Sequence, residues 1–431
     1  MRVRLPAGLR PRGRVRVPGD KSIGHRALIL GAVASGETRL SNLPDGADVV
    51  STRDCVAALG IDMVVLGNEV RLTGRGFDQI SRPADALDCG NSGTTMRLLA
   101  GLLAGQRFDA VLDGDNSLRR RPMDRIAEPL RQMGARVGTT EGAPPLRIEG
   151  ASLRGIEYRT PVASAQIKSA ILLAGLQAEG PTTVREDALS RDHTERLLGA
   201  AGVEVTGVAD VDGVTVRPGA ELEPLRGAVP GDISSAAYWM VAVAVSGSGS
   251  VRLDDVGLNP TRTAVVRVLE AWGLPVRVTR AEDWCGEPTG SIEVDAPGQR
   301  LSGGSLAGDD VVGLIDEIPL LAMLGASTEE GLTVRDASEL RHKESDRIAS
   351  TVAAIRALGG QAEECADGLV VPGGQDLRGG VVEAQEDHRI ALAAAAIACG
   401  VRDEVAIDGA EAAEISYPGF VGQLQALGGA A

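Results

Sequence analysis

The segment RHKESDRI at residues 341–348 combines several groups that can take part in chemistry. It places His342, Lys343 and Glu344 side by side in a chain that has only three lysines and four histidines. Arginine supplies the other positive side chains, and it effectively never gives up a proton, whereas the compact amine of a lysine can. Because lysine occurs at only three positions, we expect each of these lysines either to take part in chemistry or to meet a tight geometric requirement.

The other scarce residues also lie in short polar clusters, at or near predicted helix starts. These clusters are GDKSIGHR with Lys21 and His25, SAQIKS with Lys168, SRDHTER with His193, and EDHR with His388. A helix start attracts anions because its free N–H groups and the positive end of its dipole point outward. We predict Ser22 as the N-cap of the first such helix, with Arg26 one turn further on. Any one cluster could equally be a capped helix with a solvated basic residue, but together they predict a site for a polyanion.

The helix starts belong to a sixfold repeat. Amphipathic helical patterns end at Gly60, Gly134, Gly202, Gly273, Gly359 and Gly428, and each glycine is expected as a left-handed cap. In step with them, apolar helices begin near Ser22, Asn91, Ser164, Asp232, Asp316 and Asp387. Helices that are apolar on every side are buried. Each repeat therefore contains one buried helix, one amphipathic helix and several short strands.

The repeats are expected to form two domains of three. The sequence VPGD occurs at 17–20 and again at 229–232, which predicts one domain of residues 18–231 and another built from residues 1–17 and 232–431. A single solenoid is the alternative, and it is less favoured because the repeat is longer than is usual for solenoids.

Composition excludes several kinds of function. The net charge is −15, so nucleic acid and membrane surfaces are not expected as partners. The five cysteines are scattered without a CxxC pair, which argues against a disulfide framework or a zinc site and fits the reducing cytosol. The basic N-terminal stretch lacks the apolar core of a signal peptide, and no apolar run is long enough to span a membrane. We therefore expect a cytoplasmic protein.

Ten motifs follow one another along the chain: PGDKSIGHR (18–26), NSGTTMR (91–97), GDNSLRRRPM (114–123), SAQIKSA (164–170), SRDHTER (190–196), GDISSAAY (231–238), NPTR (259–262), DEIP (316–319), KESDR (343–347) and EDHR (386–389). Together they resemble the motifs of the 5-enolpyruvylshikimate-3-phosphate synthases. They cover nearly the whole chain in the family's order and are most similar to the bacterial class II members. The resemblance implies an α/β (α+β) fold of two domains, a two-domain inside-out α/β barrel. Each domain would then have three βαβαββ repeats with buried parallel helices.

The resemblance also implies a reaction. The 5-hydroxyl of shikimate-3-phosphate would attack C2 of phosphoenolpyruvate and phosphate would leave, with no cofactor and no metal, in a monomer. The residues implied to hold shikimate-3-phosphate are Lys21, Ser22, Arg26, Ser164, Ala165, Gln166, Ser190, Arg191, Asp316 and Lys343. Those implied to hold phosphoenolpyruvate are Lys21, Gly93, Arg121, Gln166, Arg347 and Arg389. Asp316 would accept the proton of the hydroxyl, Glu344 would donate one to the methylene carbon, and Lys21 would assist catalysis.

Three other functions compete with this one. UDP-N-acetylglucosamine 1-carboxyvinyltransferase shares the fold and chemistry, but its loop cysteine is missing from GDNSLRRRPM. RNA-3′-phosphate cyclase has a related architecture, which the acidic chain opposes. A non-catalytic phosphosugar-binding protein would not need the pair Asp316 and Glu344. The chain also departs from many family members in having His193 in place of a tyrosine, and Ile415 or Ser416 where they carry a C-terminal lysine.

Overall fold

The computed structural model describes residues 1–429, in which long aliphatic runs behind a polar residue form the buried helices. The helices are α1 (Lys21–Val33), α2 (Ala47–Ala58), α3 (Gly93–Ala104), α4 (Asp124–Met133), α5 (Ala165–Gly175), α6 (His193–Ala200), α7 (Ile233–Val245), α8 (Ala264–Ala271), α9 (Asp309–Leu314), α10 (Ile318–Gly325), α11 (Arg347–Ala357), α12 (His388–Ile397) and α13 (Phe420–Gly428). Within residues 1–429, every helix falls short of the length and apolarity that crossing a membrane requires.

Two predictions about helix ends need correction. The N-cap of α1 is Asp20, whose carboxylate accepts a hydrogen bond from the Ile23 amide at 3.0 Å, so the prediction of Ser22 was wrong. The predicted glycine caps at Gly60, Gly134, Gly202, Gly273 and Gly359 are confirmed, because all have a positive φ. Gly428 instead closes α13 as its last helical residue, and the positive φ falls on Gly429.

The strands are short. They are β1 (Arg2–Leu5), β2 (Arg12–Arg16), β3 (Ser35–Ser41), β4 (Asp62–Leu66), β5 (Glu69–Arg75), β6 (Leu87–Asp88), β7 (Asp109–Asp113), β8 (Arg136–Thr140), β9 (Ala143–Glu149), β10 (Leu153–Arg154), β11 (Glu157–Arg159), β12 (Ala178–Glu179), β13 (Thr182–Arg185), β14 (Val205–Thr206), β15 (Val214–Val216), β16 (Arg226–Ala228), β17 (Ser250–Gly257), β18 (Val276–Arg280), β19 (Thr289–Asp295), β20 (Gly304–Leu306), β21 (Gly331–Val334), β22 (Glu363–Cys365), β23 (Gly368–Pro372), β24 (Gly380–Glu383) and β25 (Val405–Asp408).

The sheets repeat one topology. The order β6-β7-β9-β8 joins one parallel pair to two antiparallel pairs, and the chain runs through it as β6, α3, β7, α4, β8, β9. The same βαβαββ order recurs with β11-β13-β15-β14 and with β20-β21-β23-β22, where α9 is an extra helix before α10. The sheets β16-β3-β5-β4 and β18-β19-β17-β2 follow the same order with one strand from a distant part of the chain, whereas the sheet β1-β25-β24 has only three strands. The predicted α/β class is confirmed.

The chain divides into two compact units. Unit 1 comprises Met1–Pro18, Gly231–Glu282 and the chain from Pro288 onward, and unit 2 comprises Gly19–Pro230 with Asp283–Glu287. The short segment 283–287 thus lies with unit 2, although the predicted domain of residues 1–17 and 232–431 included it. In unit 2 the Asp20 amide donates to the Pro230 carbonyl at 2.7 Å. In unit 1 the Asp232 amide donates to the Pro18 carbonyl at 2.9 Å.

Buried helices form the core of each unit. In unit 2 these are α1, α3 and α5, and a Cβ on Gly101 of α3 would lie 2.2 Å from the Ala170 carbonyl oxygen of α5. Only glycine therefore permits this close approach of the two helices. In unit 1 the buried helices are α7, α10 and α12. There the Trp239 indole donates to the Tyr417 hydroxyl at 2.9 Å, so two of the chain's few aromatic rings are joined in this core.

Candidate active site

Unit 2 places Lys21 at the first position of α1. Its amine lies 3.0 Å from a carboxylate oxygen of Asp48, and a fifth of the side chain (20%) is exposed. Asp48 itself stands in the first turn of α2, where the helix dipole favours a negative charge. The amine is thus held in place while it stays accessible to an incoming anion.

Ser22, Arg26 and Arg191 lie next to that lysine. The Arg26 guanidinium is buried and donates to the Ser22 carbonyl at 2.8 Å, the Thr194 hydroxyl at 2.6 Å and the Ser169 hydroxyl at 2.8 Å. Burial lowers the pKa of Arg26 to about 10, so it keeps its charge at neutral pH. Arg191 reaches the Ser22 hydroxyl at 3.4 Å. Arg26 therefore holds the start of α1 in place from the buried side. The half-buried side chains of Ser22 and Arg191 lie on the accessible side of the same helix start.

Ser164 and Ser190 are connected by one buried carboxylate. The Ser164 amide donates to Glu186 Oε1 at 3.0 Å, and the Ser190 hydroxyl donates to Glu186 Oε2 at 2.7 Å. Lys168 lies 2.8 Å from the same Oε2, and its side chain is only 4% exposed. Of the two explanations for a scarce lysine, tight geometry therefore applies to Lys168. Ser164 also caps α5, which begins at Ala165.

The start of α3 carries two guanidinium groups. A Cβ on Gly93 would lie 3.1 Å from Arg97 Nη1 and 3.3 Å from Arg121 Nη1. Arg121 donates to the Asn91 side chain at 2.6 Å, and Arg97 donates to the carbonyl oxygen of the Gln166 side chain. Arg97 was missed by the sequence analysis, although it stands one helical turn after Gly93 within the NSGTTMR motif.

Arg347 is the centre of a charged cluster in unit 1. Its guanidinium is 2% exposed and lies 3.2 Å from Asp316, 2.5 Å from Glu344 and 2.9 Å from Asp387. Burial opposes its charge, but Asp387, Glu344 and Asp316 together raise the pKa of Arg347 above its usual value. The cation is therefore permanent, and it holds Asp316 and Glu344 on two of its nitrogens.

Arg389 is a second cation on Asp316. It lies 3.8 Å from Asp316 and 3.7 Å from Glu317, and it donates to the Tyr238 hydroxyl at 3.4 Å. Burial opposes this charge as well, yet Tyr238 and the carboxylates hold the pKa of Arg389 well above its usual value. Glu317 and Tyr238 were missed by the sequence analysis. Glu317 is the N-cap position of α10, which begins at Ile318, close to the predicted start near Asp316.

Lys343 differs from Arg347 in holding its proton less firmly. Desolvation lowers the pKa of Lys343, and Asp316 and Glu339 oppose this only in part. Its amine lies 3.9 Å from a Glu339 oxygen, and 24% of the side chain is exposed. The neighbouring His342 is exposed to solvent. Lys343 is therefore the cation of this cluster best suited to exchange a proton.

Two of the positions that depart from the family pattern, His193 and Ile415, pack against other parts of the protein. His193 is buried, and its Nδ1 lies 2.8 Å from a Glu287 oxygen. Ile415 packs half-buried against the unit 1 core. Within residues 1–429, no group of three or more histidine, cysteine, aspartate or glutamate side chains is arranged to hold a metal ion.

The predicted site residues thus form one set in each unit. Unit 2 holds Lys21, Ser22, Arg26, Gly93, Arg121, Ser164, Ala165, Gln166, Ser190 and Arg191, which we call the unit 2 set. Unit 1 holds Asp316, Lys343, Glu344, Arg347 and Arg389, which we call the unit 1 set. The first is mainly cationic and hydroxylic and suits anion binding. The second pairs carboxylates with cations and suits proton transfer.

Comparison with known proteins gives consistent matches. The family model described as EPSP synthase (3-phosphoshikimate 1-carboxyvinyltransferase) matches residues 7–424. A 3-phosphoshikimate 1-carboxyvinyltransferase of Synechococcus sp. (strain RCC307) is 48% identical over 423 residues, 96% of each chain. One from Desulfitobacterium hafniense is 46% identical, over 96% of this chain and 94% of its own. The solved EPSP synthase of Acinetobacter baumannii superposes with a TM-score of 0.87 at 39% identity, covering 99% of this chain and 98% of that one.

Proposed function

Because the chain belongs to the EPSP synthase family and acts as a 3-phosphoshikimate 1-carboxyvinyltransferase, we propose that the unit 1 and unit 2 sets carry its reaction. The family resemblance inferred from the motifs is confirmed. The enzyme transfers the enolpyruvyl group of phosphoenolpyruvate to the 5-hydroxyl of shikimate-3-phosphate in the shikimate pathway. The observation that best supports our assignment is that Asp316 and Glu344 are bound to the same Arg347 guanidinium.

The first task of the site is to hold two anions together. Each substrate carries a carboxylate and a phosphate, and the phosphate alone has a charge of about −1.5 to −2. Two unit charges at ~4 Å repel by about 4 kcal/mol at an effective dielectric constant of 20. We assign phosphoenolpyruvate to Lys21, Gly93, Arg121, Gln166, Arg347 and Arg389. Planar guanidinium groups suit this task because they bind carboxylate and phosphate in pairs of hydrogen bonds.

Shikimate-3-phosphate is assigned mainly to hydroxyl and amide groups at helix starts. Ser22 and Arg191 would bind at the start of α1, and Ser164, Ala165 and Gln166 would bind at the start of α5. The free amides of a helix start suit phosphate. The remaining members of this site are Lys21, Arg26, Ser190, Asp316 and Lys343. Arg26 would act by holding the Ser22 backbone, since each of its three nitrogens already donates a hydrogen bond within the protein.

The chemical steps need one base and one acid. The proton of the 5-hydroxyl passes to Asp316 while the hydroxyl oxygen bonds to C2 of phosphoenolpyruvate. At the same time C3 takes a proton from Glu344 and becomes a methyl group. The C2–O bond to phosphate then breaks, C3 returns its proton to Glu344 as the double bond re-forms in the product, and phosphate leaves with the proton that Asp316 accepted. Lys21 and Lys343 would neutralise the charge that develops on the way.

Glu344 must be protonated before it can act as the acid. Its contact with Arg347 stabilises the ionised carboxylate. An anionic substrate that binds Arg347 would take over this contact and allow Glu344 to gain a proton. Asp316 keeps a second cation, Arg389, which favours the ionised carboxylate that a base requires.

The assay for this function is phosphate release from phosphoenolpyruvate. We expect release with shikimate-3-phosphate and none with UDP-N-acetylglucosamine as the acceptor. Release that needs the nucleotide sugar instead would favour the sister transferase. Binding of both substrates without any release would favour a phosphosugar-binding protein.

We also propose that the enzyme works as a monomer in the cytoplasm. All five cysteines are free thiols, which fits a reducing compartment. Light scattering coupled to gel filtration would test the monomer, and a mass of twice 44.5 kDa would contradict it.

A further inference from the structure

Glu186 is a buried carboxylate for which the reaction itself has no direct use. It lies after β13 and before α6, and its side chain is 4% exposed. A buried charge is costly unless it is paired and hydrogen-bonded. Its position therefore indicates a structural or positioning task, and its contacts decide between the two.

The two oxygens of Glu186 contact different segments of the chain. Oε1 accepts from the Ser164 amide at 3.0 Å, at the residue that caps α5. Oε2 accepts from the Ser190 hydroxyl at 2.7 Å and from the Ser190 amide at 3.4 Å. One rigid carboxylate thus sets the spacing between Ser164 and Ser190, and Arg191 follows directly in the chain.

Lys168 balances this carboxylate from inside α5. Its amine lies 2.8 Å from Glu186 Oε2 and 2.8 Å from Glu195 Oε1, and it donates to the Ser190 carbonyl at 3.4 Å. Glu195 is buried like Glu186 and bonds the same lysine, but its described contacts include neither serine. The two glutamates therefore share charge, burial and partner and differ in whether they touch the substrate-binding residues.

We propose that Glu186 is a positioning residue of the shikimate-3-phosphate site. It shapes this site by fixing Ser164 and Ser190 relative to each other. The inference rests on the proposed function, because it takes those serines to be ligands of shikimate-3-phosphate. It assigns Lys168 to balancing the charge of Glu186 and orienting its carboxylate. A purely structural ion pair would make Glu186 and Glu195 equivalent.

The test compares Glu186→Gln with the matched control Glu195→Gln. In Glu186→Gln the amide oxygen can still accept from the Ser164 amide, but the NH₂ group cannot accept from Ser190. We expect KM for shikimate-3-phosphate to rise roughly tenfold, as loss of one such charged hydrogen bond implies. KM for phosphoenolpyruvate and kcat should stay within about twofold. Glu195→Gln should leave both KM values unchanged, although both variants lose thermal stability.

Other outcomes overturn the inference. If KM for shikimate-3-phosphate rises equally in both variants, Glu186 acts only as a member of an ion pair. If KM rises equally for both substrates in Glu186→Gln, Glu186 does not act selectively on the shikimate-3-phosphate site. If Glu186→Gln does not fold, Glu186→Asp keeps the charge on a shorter side chain. It should also raise KM for shikimate-3-phosphate selectively, and a wild-type KM would refute the proposal. Wild-type enzyme without turnover would overturn the proposed function as well, whereas normal wild-type turnover confines a failure to Glu186.

Discussion

His25 offers a prediction whose size follows from its surroundings. The imidazole is fully buried in α1, and its Nδ1 lies 2.6 Å from the Thr52 hydroxyl. The hydroxyl groups of Thr52 and Thr95 are hydrogen-bonded at 2.6 Å. Thr95 donates in turn, at 2.7 Å, to the hydroxyl of Ser92, which is the N-cap of α3. This chain of hydroxyl groups joins the starts of helices that carry Lys21 and Gly93. Burial lowers the pKa of His25 from 6.5 to about 3.

The sign of the effect on stability follows from proton binding. Between pH 6.5 and about 3 the unfolded chain binds a proton on His25 that the folded protein refuses. The stability that His25 contributes is therefore present above pH 6.5 and is lost as the pH falls toward 3. Each unit of pH in that window costs up to about 1.4 kcal/mol. At about pH 5 the loss from this one group is about 2 kcal/mol.

The perturbation is His25→Gln, which can keep a hydrogen bond to Thr52 but cannot titrate. Urea unfolding followed by circular dichroism at about pH 7.5 and about pH 5 gives the free energy of unfolding at each pH. We expect the variant to be less stable at the higher pH, yet to lose about 2 kcal/mol less than the wild type on acidification. The exposed His342 provides the control, because His342→Gln should lose as much as the wild type. Equal losses in His25→Gln and the wild type would refute the reasoning.

Three further predictions concern catalysis and are measured by steady-state phosphate release. Glu344→Gln should still bind both substrates but lose roughly 10²–10⁴ in kcat, and unchanged turnover would exclude Glu344 as the acid. Arg121→Lys should raise KM for phosphoenolpyruvate about tenfold and more than KM for shikimate-3-phosphate, because a paired donor is lost; equal effects would count against this placement. Gly93→Ala puts a Cβ 3.1 Å from Arg97 Nη1 and 3.3 Å from Arg121 Nη1, so it should raise only KM for phosphoenolpyruvate, and an unchanged value would contradict the assignment.

The repeat could be predicted from the sequence because it depends on local rules. A long aliphatic run behind a polar residue forms a buried helix wherever it occurs, and a glycine that can adopt a positive φ ends the amphipathic helices. The N-cap of α1 was missed by two residues because Asp20 and Ser22 are both good caps. Asp20 is selected by a contact distant in sequence, since its amide is bonded to the Pro230 carbonyl. Local patterns carry no information about such a contact.

The site was only partly predictable for the same reason. Each scarce lysine has a carboxylate nearby: Asp48 for Lys21, Glu186 and Glu195 for Lys168, and Glu339 for Lys343. Their scarcity indicated that position matters for all three but did not separate the roles. Exposure separates them, because the side chains of Lys21 and Lys343 are 20% and 24% exposed while that of Lys168 is 4% exposed. An accessible amine can meet a substrate, whereas an amine enclosed by two carboxylates can only hold them in place. Which of these a lysine becomes depends on residues that the fold brings to it.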